Sequence, residues 1–494
     1  MNLTGAMGCR YLWVDRFCIV QDDDEHVHQQ ISWMASIYAN SHFTIIAAEG
    51  PDAEYGIRGI GHGSSLRSFK YDIFRFDDSE EFAVDIEEEK APWHTRAWTF
   101  QERLLSRRCL IFHQQTVKWE CKSTIAYETK DKIPNRIRFP DWIGLSLLPY
   151  PDTRQYQHLV QNYSEKQLTF SHDVLHAFSA VINAFSRSFP SGFFFALPEF
   201  FFDMALLWTV KITVTRRENF PTWSWLGWEG PVKPYGYRCW NAISGLPSDN
   251  SYGPSHVCEP MVQWSKRCGE CPGVEHCVHD TSGRVFLPVD NSYHKWQEYR
   301  IDHNRTPPPG WQLRDNIYVH ERLNTEDFRI HPSHKHYHPV PVQDTPLSIE
   351  QRSWLPFLYG QVKSAIFQIG ISFYQDDKSQ SDKSLSFHLE NADGEWVGII
   401  ESHYSELKHC QEGDECEVVG ISYGSSQNWG DDDHPYEMVI RDELGDYRCE
   451  KYYEYVNVLW IHWKDGIAYR QGIGRIWRHL WDDHEKREID IVLG

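Results

Sequence analysis

Residues 10–48 read RYLWVDRFCIVQDDDEHVHQQISWMASIYANSHFTIIAA, and the reading of this stretch decides the fold of the amino-terminal part. Tyr11-Leu12-Trp13-Val14 is a run of aromatic and branched residues, continued by Phe17 to Val20 beyond Asp15-Arg16, and it predicts a buried strand. Gln21 to Glu25 then places carboxylates where a helix would begin, favourable at the positive end of a helix dipole. Val27, Ile31, Met34, Ala35 and Tyr38 follow at spacings of four, three, one and three, which is one apolar helical face. Asn40-Ser41 ends the helix, and Phe43 to Ala48 reads as a second buried strand, so the stretch predicts a βαβ unit of parallel sheet. Only Met1 to Cys9 precede it, so the sheet must find its other strands downstream or lack some.

A second block, WHTRAWTFQERLLSRRC, occupies 93–109. Thr99-x-x-Glu102 predicts a capping box, with Phe100, Leu104 and the stem of Arg103 on one side of a short helix. Cys109 to Phe112, a turn at His113-Gln114-Gln115 and Val117 to Trp119 predict a hairpin after it. LWVDRFCIVQDD, the IYANS helix end, TIIAAEG and this second block together resemble the fungal heterokaryon-incompatibility (HET) domain. The signature positions are Trp13, Asp15, Cys18, Gln21, Asp22, Tyr38, Arg96, Trp98, Gln101 and Glu102, and Ala97 stands where the family pattern has glycine. The family pattern starts with an earlier strand, a Ser-Tyr-x-Trp-Gly type turn and a helix. The resemblance therefore implies an α/β domain truncated at its amino terminus, with an incomplete parallel sheet of Toll/interleukin-receptor-like type.

The same resemblance implies a cytoplasmic protein of fungal non-self recognition and regulated cell death, an innate-immunity role. It would act as a signalling or interaction module through a protein partner or self-association. The alternative it implies is an NAD glycohydrolase with NAD as substrate, in which a helix-borne Glu acts on the ribose. The comparable position on the first helix holds Gln30, with His26 and His28 nearby. An amide neither takes a proton nor stabilises an oxocarbenium-like centre as a carboxylate does. Glu102 and Asp15 remain as candidate catalytic groups. Each is weighed against a structural role: Asp15 at a strand end as a cap, and Arg96, Gln101, Glu102 and Arg103 as a polar network fixing the short helix. Asp22 and Asp23 read first as helix-dipole caps. An inactive relic is the third reading.

Composition narrows the classes. The chain has 494 residues, 41% of them hydrophobic, and a formal net charge of −21, which disfavours a phosphate-backbone partner and so nucleic acid. The most apolar stretch, Phe193 to Trp208, is broken by Pro198, Glu199 and Asp203, so no membrane span is expected. The twelve cysteines lie mostly in apolar surroundings, where buried reduced thiols are the ordinary reading.

The residues divide as 1–130, the HET-like domain; 131–235, helical and Trp-rich; 236–345, a Pro/His/Cys-rich linker or insert; and 346–494, a β-rich carboxyl-terminal domain. GIRGIGHG at 56–63 follows a strand but precedes no clear helix, so it reads as a loop rather than a phosphate cradle. Leu168 to Phe185 carries apolar residues at helical intervals, with Ser171 or His172 near a cap. Trp223 and Trp225 fit a half-buried strand better than a stacking platform. Cys268, Cys271, Cys277 and His279 include one C-x-x-C pair, a zinc candidate whose second pair is irregularly spaced, so free thiols are favoured over zinc. Phe367–Phe373, Leu385–Leu389, Trp396–Ile400, Glu417–Ile421 and Tyr455–Trp463 are the short runs that predict strands of the last domain.

Overall fold

The computed structural model describes residues 1–50, 52–60, 72–77, 80–84, 91–113, 116–121, 124–128, 151–210, 214–234, 256–271, 273–278, 309–314, 317–323, 342, 353–373, 385–402, 410–427, 440–441, 447–448 and 452–494. The chain forms two units: Met1–Ser146 with Lys166–Val181, and Leu147–Glu165 with Ile182–Gly494. In the first, α1 (Asn2–Ala6) and α2 (Asp15–Cys18) precede α3 (Asp24–Asn40). The expected cap is there: Asp23 accepts from the His26 backbone N–H at 3.0 Å, taking one of the donors a helix start leaves unpaired. Ser41 closes the other end, its N–H bonded to the Tyr38 carbonyl.

The strand predicted at Tyr11–Val14 and Phe17–Val20 does not form. Tyr11 and Phe17 are 84% and 81% exposed. The backbone here is satisfied locally instead of by a ladder. The Val14 carbonyl accepts from Phe17 and Cys18, closing α2, while Asp15 Oδ1 accepts from the Arg16 N–H at 2.7 Å. Gln21 Nε2 donates to the Ile19 carbonyl at 3.0 Å. The βαβ reading is corrected accordingly: α3 leads into β1 (Thr44–Ala47), but β1 takes its parallel neighbour from downstream.

That neighbour is β4. After the hairpin β2 (Asp72–Asp77) and β3 (Glu80–Val84), the second block forms α4 (Pro92–Thr95), α5 (Ala97–Leu105), β4 (Arg108–His113), β5 (Thr116–Cys121) and β6 (Thr124–Tyr127). The sheet order is β1-β4-β5-β6, with only β1–β4 parallel. Ile46 and Ala48 meet Cys109 and Ile111 in its buried core, with Trp93 packed over them. The predicted hairpin is present, but the capping box is not. α5 starts at Ala97, and Thr99 Oγ1 donates back to the Trp93 and Arg96 carbonyls at 2.7 and 2.8 Å. Phe100 and Leu104 are buried, and Phe100 stacks on Phe178.

The second unit carries the strand-rich region. Leu358–Phe373 pairs with Glu415–Gln427, which pairs with Tyr452–Lys464, then Ile467–Trp477, Trp396–Ser402 and Leu385–Glu390, which returns to Leu358–Phe373. Closure leaves these strands without a free edge, the arrangement of a small barrel. Phe367, Leu389, Ile400, Val418, Val458 and Trp481 fill its core. A Cβ on Gly474 would run into the Ile399 carbonyl, so close strand approach requires glycine there. His256–Pro260, Ser265–Arg267 and Glu275–Cys277, from the segment read as linker, join the same sheet. The helical periodicity before it resolves into 3-10 turns at Ser171–Val174 and His176–Phe178 and then an α-helix, Ser179–Phe185.

Trp223 and Trp225 lie in a turn and a 3-10 helix rather than a strand. They are core all the same, 0% and 2% exposed. Trp208 Nε1 donates to the Trp223 carbonyl and Trp228 Nε1 to the Thr222 carbonyl, both at 2.9 Å. Arg470, fully buried, stacks over Trp208 and donates to the Leu206 and Trp208 carbonyls. Among the described residues no helix is long and apolar enough to cross a membrane.

Candidate functional site

The two signature blocks meet at Tyr38. This residue sits on the last turn of α3, and its ring receives Trp13 edge-on, centroids 5.9 Å apart at 78°. The short α2 turn fixes Trp13 and Asp15: Cys18 Sγ accepts from the Val14 N–H, and the Gln21 amide ties to the Ile19 carbonyl. From the other side α5 presents Glu102, whose carboxylate hydrogen-bonds the Tyr38 hydroxyl. Ser106 Oγ donates to the Glu102 carbonyl at 2.6 Å and bonds Thr44 Oγ1, linking α5 to the start of β1.

Electrostatics single out Glu102. Burial pushes its carboxyl up to about 7; Asp15 pushes the same way, while Arg96 and the Tyr38 hydrogen bond oppose. The Tyr38 hydroxyl is itself held upward, by burial first and then by Glu102 and Asp15. This constellation brings Asp15, Tyr38, Arg96 and Glu102 together around the Tyr38–Glu102 hydrogen bond. Asp15 and Arg96 are exposed and Glu102 is partly buried, so solvent reaches its rim. Asp15 is not at a strand end, as expected from the sequence, but opens α2.

Because the folded Glu102 holds its proton to about 7 and an unfolded Glu releases it near 4.5, this group favours folding fully below pH 4.5. Its contribution falls as pH rises through that window and is level above it. Glu102→Gln keeps an acceptor for Tyr38 and removes the charge, so its melting temperature is expected to exceed the parent's at pH 8 and to match it near pH 4. Thermal unfolding of both chains across this range checks it; a parent less stable at pH 4 than at pH 8, relative to the variant, would contradict the assignment.

Residues 1–102 match the family model described as Heterokaryon incompatibility protein (HET). This part of the chain is a HET domain. No curated protein and no solved structure matches the chain. Within the HET domain the remaining signature residues do different things: Gln101 is buried, Trp98 only half-buried, and Gln21 and Asp22 are exposed at the start of the α3 cap. Gln30, on α3, is half-buried.

Just past the match lies a group that sequence reading missed. Glu120 of β5 is 1% exposed and accepts from Arg103 Nη2 at 2.9 Å and from Lys118 Nζ. The signal was available: Lys118 and Glu120 occupy alternate positions of β5, opposite the buried Ile111 and Cys109. A charged pair on a core-facing register has to find partners. Among the described residues the zinc candidates form no ligand group. Cys268 is buried at a bridge to Trp354, Cys271 and Cys277 are exposed, and His279 lies outside the described residues. Among the described residues no group of three or more His, Cys, Asp or Glu is placed to hold a metal ion.

Proposed function

We propose that the chain acts in fungal non-self recognition as a signalling and interaction module. In this reading its HET domain, an α/β domain of Toll/interleukin-receptor-like kind, engages a protein partner or a second copy in the cytoplasm and triggers regulated cell death. The observation that carries the reading is the set of large apolar side chains left in solvent between Met7 and Trp33: Tyr11, Leu12, Phe17, Val20 and Trp33 are each at least 41% exposed. Exposed apolar area is favourable to bury, and a concentration of it marks an association surface.

One observation favours a second reading, cleavage of NAD. Glu102 holds its proton to about 7 beside a tyrosine hydroxyl, and a carboxyl poised near the working pH suits a general acid or base. Expression of the full chain in a filamentous fungus separates the two. Under the interaction reading the chain slows growth without loss of cellular NAD, the paired change Phe17→Ser with Trp33→Ser abolishes the effect, and Glu102→Gln keeps it. NAD loss that disappears in Glu102→Gln would instead establish the enzyme, and no growth effect from any chain would leave neither reading standing.

A further inference from the structure

On the sheet side of α5, away from Tyr38, the same unit gathers basic side chains around two histidines. His94 comes from α4 and His113 from the end of β4, and their rings meet edge to face with centroids 5.4 Å apart. Lys166 Nζ donates to the His94 carbonyl at 2.7 Å. Arg103 from α5 and Lys118 from β5 both lean on Glu120, so that one buried carboxylate faces two fixed cations, while Lys166 stands beside His94. Register puts Thr116 opposite His113 on that face of the hairpin.

Two facts mark this face as more than a structural ion cluster. Both ring nitrogens of His113 and the hydroxyl of Thr116 are shielded from solvent, yet among the described residues none of the three has a hydrogen-bond partner. Buried polar atoms are ordinarily paired, because leaving one unpaired forfeits its hydration. The potential there is also positive. The His94 ring is held down to about 4, by burial first and then by Arg103, His113, Lys166 and Lys118. In a chain of net charge −21, a face of positive potential that carries the unpaired polar atoms of His113 and Thr116 attracts an anion.

We propose that the face formed by His94, His113, Thr116, Lys118 and Lys166 is a binding site for a tetrahedral oxyanion of the phosphate class, either free or as the phosphoryl group of a nucleotide. The proposal stands independently of the HET reading. Donors arrive from separate elements, β4, β5 and the segment around Lys166, which matches an anion with three or four oxygens better than the two of a carboxylate. Arg103 stays committed to Glu120, and the Cys109 thiol, pushed up to about 12 by burial, adds no charge. A bound dianion stabilises the protonated His94 imidazole, so binding takes up protons and tightens as pH falls towards the His94 midpoint of about 4.

Sulfate is the probe, because it remains a dianion across the range used and any pH dependence then belongs to the protein. Calorimetric titration of the full chain at constant ionic strength is expected to give a dissociation constant roughly threefold lower at pH 4.5 than at pH 8, which is what a rise of about one unit in the His94 pKa from about 4 produces. His113→Phe keeps the ring contact with His94 and removes both nitrogens; it should bind sulfate roughly tenfold more weakly at either pH, the loss of one hydrogen bond to a charged group. AMP binding tighter than sulfate, with adenosine silent, assigns a nucleotide phosphoryl group, and equal binding of AMP and sulfate assigns the free anion. Should the variant not fold, the histidine titrations of the parent decide by NMR: sulfate moves the His94 midpoint upward if the site exists. Sulfate binding that is absent, independent of pH or unchanged in the folded variant, or a His94 midpoint that sulfate leaves in place, overturns the proposal.

Discussion

Trp223→Ala is expected to destabilise the barrel unit by about 3–5 kcal/mol, the usual cost of truncating a fully buried large aromatic. Trp223 has no exposed surface and stacks on Phe194 with centroids 5.1 Å apart, while Phe195 and Phe202 meet it edge-on at 5.6 and 5.8 Å. Its carbonyl also receives the Trp208 indole N–H. The rings around the gap also pack on one another, Phe194 meeting Phe195 at 5.1 Å and Phe202 at 6.4 Å, which opposes their collapse into it. A loss of this size is a large part of the roughly 5–15 kcal/mol that keeps a protein folded. Denaturant titration followed by near-ultraviolet circular dichroism is the measurement, and a change below about 1 kcal/mol, typical of a surface site, would contradict a packed core here. Trp98→Ala, in the HET domain, should cost less, since Trp98 is only half-buried.

Glu120→Ala should destabilise the amino-terminal unit by about 3 kcal/mol. The loss comes from what remains: Arg103 and Lys118, with side chains 22% and 18% exposed, would face each other beside the core without the carboxylate that both contact. Removing one partner of a buried ion pair leaves an uncompensated charge, at a cost of about 3–5 kcal/mol, whereas replacing the whole group by apolar residues of similar size is often neutral. The triple change Glu120→Leu, Arg103→Met and Lys118→Met should therefore recover most of the loss. If the single change is silent, or the triple change is worse than the single, the pair does not act as described. Melting curves of the three proteins under identical salt settle it.

Much of the architecture was legible in local pattern. α3 was readable from its carboxylate cap and its apolar face, because both depend on residues a few positions apart. The β4–β5 hairpin followed from alternation about a short turn, and the runs Phe367–Phe373, Leu385–Leu389, Trp396–Ile400, Glu417–Ile421 and Tyr455–Trp463 each fall within a barrel strand, the strands themselves running further, as in Leu358–Phe373 and Glu415–Gln427. The HET domain itself was recognisable from two sequence blocks, and the family match covers the first and most of the second.

What the sequence by itself determined was therefore α3, the β4–β5 hairpin and runs within the barrel strands, together with the resemblance that the family match over residues 1–102 bears out. Tertiary structure alone decided the rest. Tyr11–Val14 has the composition of a strand, yet composition does not supply a neighbour; with Asp15, Cys18 and Gln21 satisfying the backbone nearby, a turn won. Tyr38 and Glu102 lie on different helices, and only the packing of α5 against α3 puts hydroxyl against carboxylate and removes enough water to raise the Glu102 pKa to about 7. Closure of the barrel, the placement of Trp223 in a turn and the pairing of Glu120 depend in the same way on which segments meet in space. Burial and pairing are properties of the folded neighbourhood, and no local spacing encodes them.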